Sequence, residues 1–426
     1  MWFAGRRIFM LILLQGLLRR FVDKGRLTVV SHDGGRHTFG SGLDGPIVTV
    51  RLTDAAVERT LFFNPELATA EAYMDGRLVF EDGSTVYDLL LLFSLNGRGL
   101  ASHPLQKALR KVWRALRRVH QSNPITRAAR NARHHYDLPP DFYALWLDAG
   151  LNYSCAYFTR PGNTLEQAQI DKTRHIAGKL KLEPGMSVAE IGCGWGFLAV
   201  YLAKTFGVQM TAVTLAPEQA TVARRRAADA GVSHLVTIVE QDYREITGRH
   251  DRVVSIAMME AVGAAYFDDY FGSIKRLLKP GGFALVHSIG RMSPPGTTAP
   301  FIRKYIFPGG YVPSLSEVFA STERSGLWVA DCEVLRMHYY WTVTQWRQRF
   351  LARRAEVVAM MGERFARMWE FYLSLAALVF LHGSNMVFQL LLSGRRDDVP
   401  LVRDYMMEEE ARLRRQDAAS IVEPGR

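Results

Sequence analysis

The run Val188-Ala189-Glu190-Ile191-Gly192-Cys193-Gly194-Trp195-Gly196 combines residue types and spacing that can do chemistry. Its apolar half reads as a strand, and its glycines let the backbone turn tightly and approach a ligand closely. The spacing is GxGxG, not the GxGxxG of dinucleotide-binding turns, and an acid stands two residues before the first glycine. A nicotinamide enzyme would place a second acid about 20 residues on, at the end of the next strand, to hold the ribose. Thr214 occupies that place. The three cysteines, Cys155, Cys193 and Cys332, are widely separated and form no CxxC pair, so neither a disulfide framework nor a zinc site is expected.

The elements that must position this loop follow from periodicity. Strands are predicted over 186–191, 208–215, 235–240, 252–257 and 283–287, and helices over 197–206, 217–230 and 268–278. Alternation of this kind builds an α/β fold, a doubly wound parallel sheet with the loop after its first strand. Residues 1 to about 95 read as a small α/β unit, with strands over 26–30, 46–52 and 59–63 and a helix over 66–74 ended by Asp75-Gly76. From 342 to 415 the chain reads as mainly helical, with Trp346, Phe350, Trp369, Phe371 and Tyr372 as core. The resulting division is an amino-terminal docking or dimerisation domain over 1–100, a linker over 101–134 and a catalytic domain over 135–426.

Composition is that of a globular chain of 426 residues, 48% hydrophobic and 22% charged, which excludes disordered and collagen-like classes. The longest apolar run near the start, 8–14, is well short of the roughly 20 residues that span a bilayer. No membrane-spanning helix and no signal peptide are predicted, and a cytoplasmic protein is expected. The net charge of +11 is uneven. Between Leu89 and Tyr136 there is no Asp or Glu, whereas Arg98, Lys107, Arg110, Lys111, Arg114 and further arginines through Arg133 are all positive. Within that stretch, Leu105, Leu109, Val112, Trp113, Leu116 and Val119 recur at helical spacing. Such a basic amphipathic helix can lie on an anionic membrane, follow nucleic-acid phosphates, or form a solvated face. Trp113 and the leucines suit the lipid interface.

An acid, one residue and GxGxG after an apolar strand resembles the cofactor loop of class I methyltransferases that use S-adenosylmethionine. That resemblance implies that Gly192, Gly194 and Gly196 face the methionine part of the cofactor and that Glu190 orders its ammonium. It further implies Thr214 and Gln219 at the ribose, Asp242 and Tyr243 at the adenine, and Tyr153 and Ser154 beside the cofactor. The NPPY-type and Pro-Cys signatures of nucleic-acid methyltransferases do not occur, so a nucleic-acid partner is not expected.

Longer wording is more specific. His135-Tyr136-Asp137-Leu138, Tyr153-Ser154-Cys155-Ala156-Tyr157-Phe158, Leu165-Glu166-Gln167-Ala168-Gln169, Met259-Glu260-Ala261-Val262-Gly263, His287-Ser288-Ile289-Gly290 and His338-Tyr339 follow one another in order. Together with Glu71-Ala72-Tyr73-Met74-Asp75-Gly76 and Phe388-Gln389, they resemble the cyclopropane-fatty-acyl-phospholipid synthase family over most of the chain. The chemistry this implies is attack of a cis double bond on a sulfonium methyl in a dry pocket, giving a carbocation that aromatic faces stabilise. Tyr136, Phe142, Tyr153, Phe158 and Tyr339 are the aromatic candidates. A base then removes a proton so that the ring closes. The resemblance implies that this base is a bicarbonate cradled by Cys155, Glu260, His287, the backbone of Ile289 and Tyr339, with His135 nearby.

Two departures stand out. Where the family usually has FEHVG this chain has Met-Glu-Ala-Val-Gly, placing Ala261 at a histidine position, and Pro139-Pro140 replaces the usual Gly-Asn. The resulting expectation is a homodimeric enzyme, peripheral on the inner face of a phospholipid bilayer, drawn to anionic headgroups and acting on unsaturated acyl chains. Its rivals are a fatty-acid C-methyltransferase that makes no ring, a small-molecule methyltransferase, and a binding protein with a vestigial cofactor site.

Overall fold

The computed structural model describes Gly16 and residues 18–97 and 138–422, which fall into two compact units. The predicted basic helix over 105–119 and the residues His135 and Tyr136 lie outside the described residues.

One unit comprises the described residues up to 97 with Thr297–Pro308 and Val343–Ser384. Its sheet has the order β2-β1-β3-β4, formed by β1 (Arg26–Val30), β2 (Arg36–Phe39), β3 (Ile47–Leu52) and β4 (Leu78–Glu81). Alternate residues Leu27, Val29, Val48, Val50 and Leu52 are buried with Leu89 and Leu92. The strand expected over 59–63 is instead the end of the helix Ala55–Phe63. Asp54 starts it, accepting the N–H groups of Ala56 and Val57 at 2.9 and 3.2 Å while Arg77 clamps the same carboxylate at 2.6 and 2.7 Å. A short apolar run reads equally as strand or helix, and here the cap upstream decides.

The linear division at residue 135 also needs correction. The helix Glu363–Leu381 belongs with the amino-terminal sheet. Tyr73 donates its hydroxyl to Glu370 Oε2 at 3.0 Å, and the Phe371 ring lies 4.8 Å from Phe301 and 6.4 Å from Tyr73. Trp346, Phe350, Trp369, Phe371 and Tyr372 are all buried, as expected of core residues.

The second unit holds the remaining described residues around a seven-stranded sheet of order β10-β11-β9-β8-β5-β6-β7. These strands are β5 (Ser187–Ile191), β6 (Gln209–Thr214), β7 (Val236–Glu240), β8 (His250–Ile256), β9 (Leu278–Arg291), β10 (Trp328–Leu335) and β11 (Asn385–Ser393). Strands β5 to β9 run parallel, but β11 is antiparallel to both β9 and β10, so the sheet is mixed rather than wholly parallel. The segment Asn385–Ser393 was expected inside a helical region. It is apolar on both faces and almost entirely buried, the pattern of a central strand that periodicity does not separate from a buried helix.

The helices that flank the sheet have their predicted places: Phe197–Phe206, Pro217–Asp229 and Phe267–Leu277. The chain order reverses at β5, which lies between β6 and β8. In open α/β sheets the crevice at the carboxyl ends of such strands is where ligands bind. Among the described residues no helix is long and apolar enough to cross a membrane.

Candidate active site

The turn after β5 opens directly onto that crevice. Gly192, Gly194 and Gly196 all have positive φ, at 81°, 53° and 77°, which only glycine adopts without strain. Their roles differ. A Cβ on Gly196 would lie 2.6 Å from the Cβ of Ala223, and one on Gly192 would lie 3.0 Å from Met258 Cγ. A Cβ on Gly194 would meet nothing within 4 Å. Gly196 therefore lets two helices pack closely, whereas Gly194 borders open space beside the backbone.

Glu190, one residue before the end of β5, is buried, and its Oε2 has no hydrogen-bond partner among the described residues. Burial pushes its carboxyl up to about 8, opposed by the charge of Lys172. Lys172 is itself buried on the helix Leu165–Leu180 and is held down to about 8 by desolvation, against the pull of Asp148, Cys155 and Glu190. Its Nζ donates to Asn152 Oδ1 at 3.2 Å and to Ser154 Oγ at 3.0 Å. Asp148 shapes the preceding turn by accepting the N–H groups of Gly150 and Asn152, both at 2.9 Å, and Asn152 Nδ2 at 2.8 Å. Tyr153 packs its ring 5.3 Å from Trp146 and 5.8 Å from Tyr143. Phe142 sits in the same cluster, 5.9 Å from the Trp146 ring and 5.5 Å from that of Tyr143.

Lys172 is a candidate site residue that motif reading missed. The signal was present: Leu165, Ala168, Gln169, Lys172, Ile176 and Leu180 recur at three- and four-residue spacing, which puts a lysine on the apolar stripe of its helix. A buried lysine facing carboxylates is a marked departure from what such a stripe usually carries.

Cys155 follows on the same loop. It is buried, its Sγ lies 3.3 Å from the Ala156 carbonyl, and burial drives the thiol well up, so that it is protonated. Ala156 donates its N–H to Thr342 Oγ1 at 3.0 Å, and Thr342 donates in turn to the His338 carbonyl at 2.7 Å. The loop is thereby fastened to the first turns of the helix His338–Ala352, which also carry the buried Tyr339.

On the other side of the glycine turn, Thr214 closes β6 and donates to Gln219 Oε1 at 2.9 Å. Asp242 is buried, with both carboxylate oxygens engaged by Arg244 at 2.7 and 2.8 Å. The Tyr243 ring is buried 5.6 Å from that of Tyr270.

The third cluster stands where β8 and β9 end. Ile256 pairs with His287 in register, and Ala257, turning at φ 52°, donates its N–H to the His287 carbonyl at 2.8 Å. The chain then winds through Met259–Ala261, bringing Glu260 back towards β9. Glu260 Oε1 accepts the Ile289 N–H at 2.6 Å, while Oε2 is buried without a partner among the described residues. Burial pushes this carboxyl up to about 7. His287 is buried and held well below the ordinary histidine range by desolvation, reinforced by Lys172, Lys179 and His175. The Ile289 N–H, expected to face an anion, is given to Glu260 and fixes that carboxylate instead.

These residues fit the groups the sequence implies. Unpartnered Glu190 Oε2 and the open side of Gly194 provide an acceptor and a cradle for a cationic cofactor. Unpartnered Glu260 Oε2, a protonated thiol at Cys155 and neutral His287 are each buried polar groups of the kind that can hold a protonated small anion such as bicarbonate.

Comparison with known proteins gives the family. The family model Mycolic acid cyclopropane synthetase matches residues 123–390. The tuberculostearic acid methyltransferase UfaA1 of Mycobacterium tuberculosis is 38% identical over 396 residues, covering 88% of this chain and 90% of that protein. The cyclopropane-fatty-acyl-phospholipid synthase of Escherichia coli K12 is 35% identical over 327 residues, covering 77% of this chain and 83% of that one. Among solved structures, mycolic acid cyclopropane synthase CmaA1 complexed with SAH and CTAB is 31% identical, with a TM-score of 0.60 over 62% of this chain and 97% of that one. Fold and site thus define a class I methyltransferase that uses S-adenosylmethionine. Within that class, the chain belongs to the mycolic acid cyclopropane synthetase family.

Proposed function

We propose that this enzyme joins a one-carbon unit to the cis double bond of unsaturated phospholipid acyl chains and closes it to a cyclopropane. The observation that carries the reading is Glu260, anchored by the Ile289 N–H beside His287, with its second oxygen buried and unpartnered. Bound S-adenosylmethionine supplies the electrophilic methyl, and bound bicarbonate supplies the base. Glu190 and the turn around Gly194 hold the cofactor, with Tyr153 and Ser154 beside it. Glu260, Cys155, His287 and Tyr339 hold the anion, and their burial excludes water that would otherwise capture a developing carbocation. The test is to express the enzyme in a bacterium lacking this activity and to analyse its fatty-acid methyl esters by gas chromatography and NMR. Upfield ring protons are expected; unchanged lipids would overturn the reading.

A second reading, a methyl-branched or methylene product, is favoured by the breadth of similarity to a tuberculostearic acid methyltransferase and by Ala261. Ring closure and a methylene branch add the same mass, so NMR or fragmentation of the same lipids separates them.

We place the enzyme peripherally on anionic bilayers at the inner face of the membrane. Support comes from the basic, acid-free sequence between Leu89 and Tyr136, where each near-surface Lys or Arg contributes about 1 kcal/mol of attraction. Charge reversal at Arg114, Arg117 and Arg118 is expected to weaken binding to anionic vesicles; unaltered binding would remove that role.

A further inference from the structure

Gln389 on β11 pairs in register with His287 on β9, and its side chain bridges two groups. Its Oε1 accepts from Lys179 Nζ at 2.8 Å, and its Nε2 lies 3.1 Å from His287 Nδ1. An ammonium has only donors, so the amide atom facing Lys179 is the oxygen, and the atom facing the imidazole is the NH2 group. An NH2 group only donates, so Nδ1 must accept. A neutral imidazole that accepts at Nδ1 carries its proton on Nε2. Among the described residues that nitrogen has no hydrogen-bond partner.

We propose that Lys179 and Gln389 are positioning residues that lock His287 in the tautomer with its proton on Nε2, leaving an N–H donor for the small anion held with Glu260 and Cys155. This rests on the reading of His287 as a pocket residue given above. Were the amide free to turn over, its oxygen would face Nδ1 and draw the proton there. Nε2 would then become an acceptor, which repels an anion's oxygen.

The lock is held from behind. Lys179 is buried and ion-paired to Glu333, whose Oε2 also meets His175 Nε2 at 2.6 Å. The other nitrogen of His175 faces Glu410 Oε1 at 2.5 Å. Lys179 therefore has a fixed place from which to orient the amide.

The test is the ring-nitrogen NMR spectrum of the full-length, 15N-histidine-labelled enzyme, with His287 assigned by difference from His287→Asn. The expected wild-type signal is protonated Nε2 and bare Nδ1. Gln389→Glu presents only acceptors to Nδ1 and is expected to move the proton there. Turnover should fall on the order of 100-fold, with S-adenosylmethionine affinity retained. A wild-type ring protonated on Nδ1, or an unmoved proton in Gln389→Glu, overturns the proposal. If that variant fails to fold, Gln389→Met serves: a mixture of tautomers is expected, and a single unaltered Nε2–H species overturns the lock. A switched tautomer with unaltered turnover upholds the lock and removes His287 from the reaction instead.

Discussion

The backbone N–H of Ile289 reaches 2.6 Å to Glu260 Oε1, joining the turn after β8 to the end of β9. That bond anchors one carboxylate oxygen and leaves the other buried and unpartnered. A carboxyl fixed at one end in a desolvated place is poised to hold or pass a proton at the other. Its acidity, pushed up to about 7, sits where proton uptake and release are evenly balanced.

Glu260→Gln is expected to keep cofactor affinity within about threefold and to lose turnover by about 100-fold or more, the range of a lost acid-base group. An amide still accepts the Ile289 N–H but neither takes up nor passes on a proton. Release of S-adenosylhomocysteine measures the loss and calorimetry measures binding; near-normal turnover would remove Glu260 from the reaction.

Cofactor affinity should rise and then fall with pH. Burial pushes Glu190 up to about 8, so below that pH it is protonated and must release a proton to meet an ammonium. Lys172, held down to about 8, loses its repelling charge over the same range. Both effects have the same sign until the cofactor's own α-amino group, ordinarily titrating at about pH 8, gives up its charge. Affinity should therefore climb from about pH 6 to a maximum at about pH 8 and fall beyond it, by at most about tenfold per unit for each proton released. Calorimetry in buffers of different ionisation enthalpy should register net proton release, and Glu190→Gln should abolish most of it; a flat profile would contradict the assignment.

Two glycines of one loop should fail differently. Gly196→Ala drives a Cβ to 2.6 Å from Ala223 at a positive φ and should cost about 2–4 kcal/mol of stability. Gly194→Ala places its Cβ in open space and should cost only about 1–2 kcal/mol, the penalty of a left-handed residue. Cofactor affinity should nevertheless fall strongly in Gly194→Ala. Thermal melts with and without cofactor separate the two effects, and equal affinity in wild type and Gly194→Ala would show that the open side is not the cofactor's.

Thr342→Val leaves the buried N–H of Ala156 without its 3.0 Å acceptor. Stability should drop by about 1–3 kcal/mol, the cost of an orphaned buried donor. Because Ala156 follows Cys155, turnover should fall along with it, whereas Thr342→Ser should restore both. Failure of serine to rescue would point to the lost methyl rather than the hydroxyl.

Much of this enzyme was legible in the amino-acid order. The glycine turn and the strands and helices around it follow from local wording and periodicity, which depend on neighbours a few positions away, whereas Cys155, Glu260, His287 and Tyr339 were singled out only by resemblance to a family. The helix Ala55–Phe63 and strand Asn385–Ser393 were misread because a short apolar run is compatible with either conformation. Only the tertiary structure could decide which groups are buried together. Lys172 stands 18 residues before Glu190, and Gln389 lies 102 residues after His287. Local pattern sets conformation residue by residue, but desolvation, proton placement and the partner of each buried polar atom arise only where distant strands and helices close on one another.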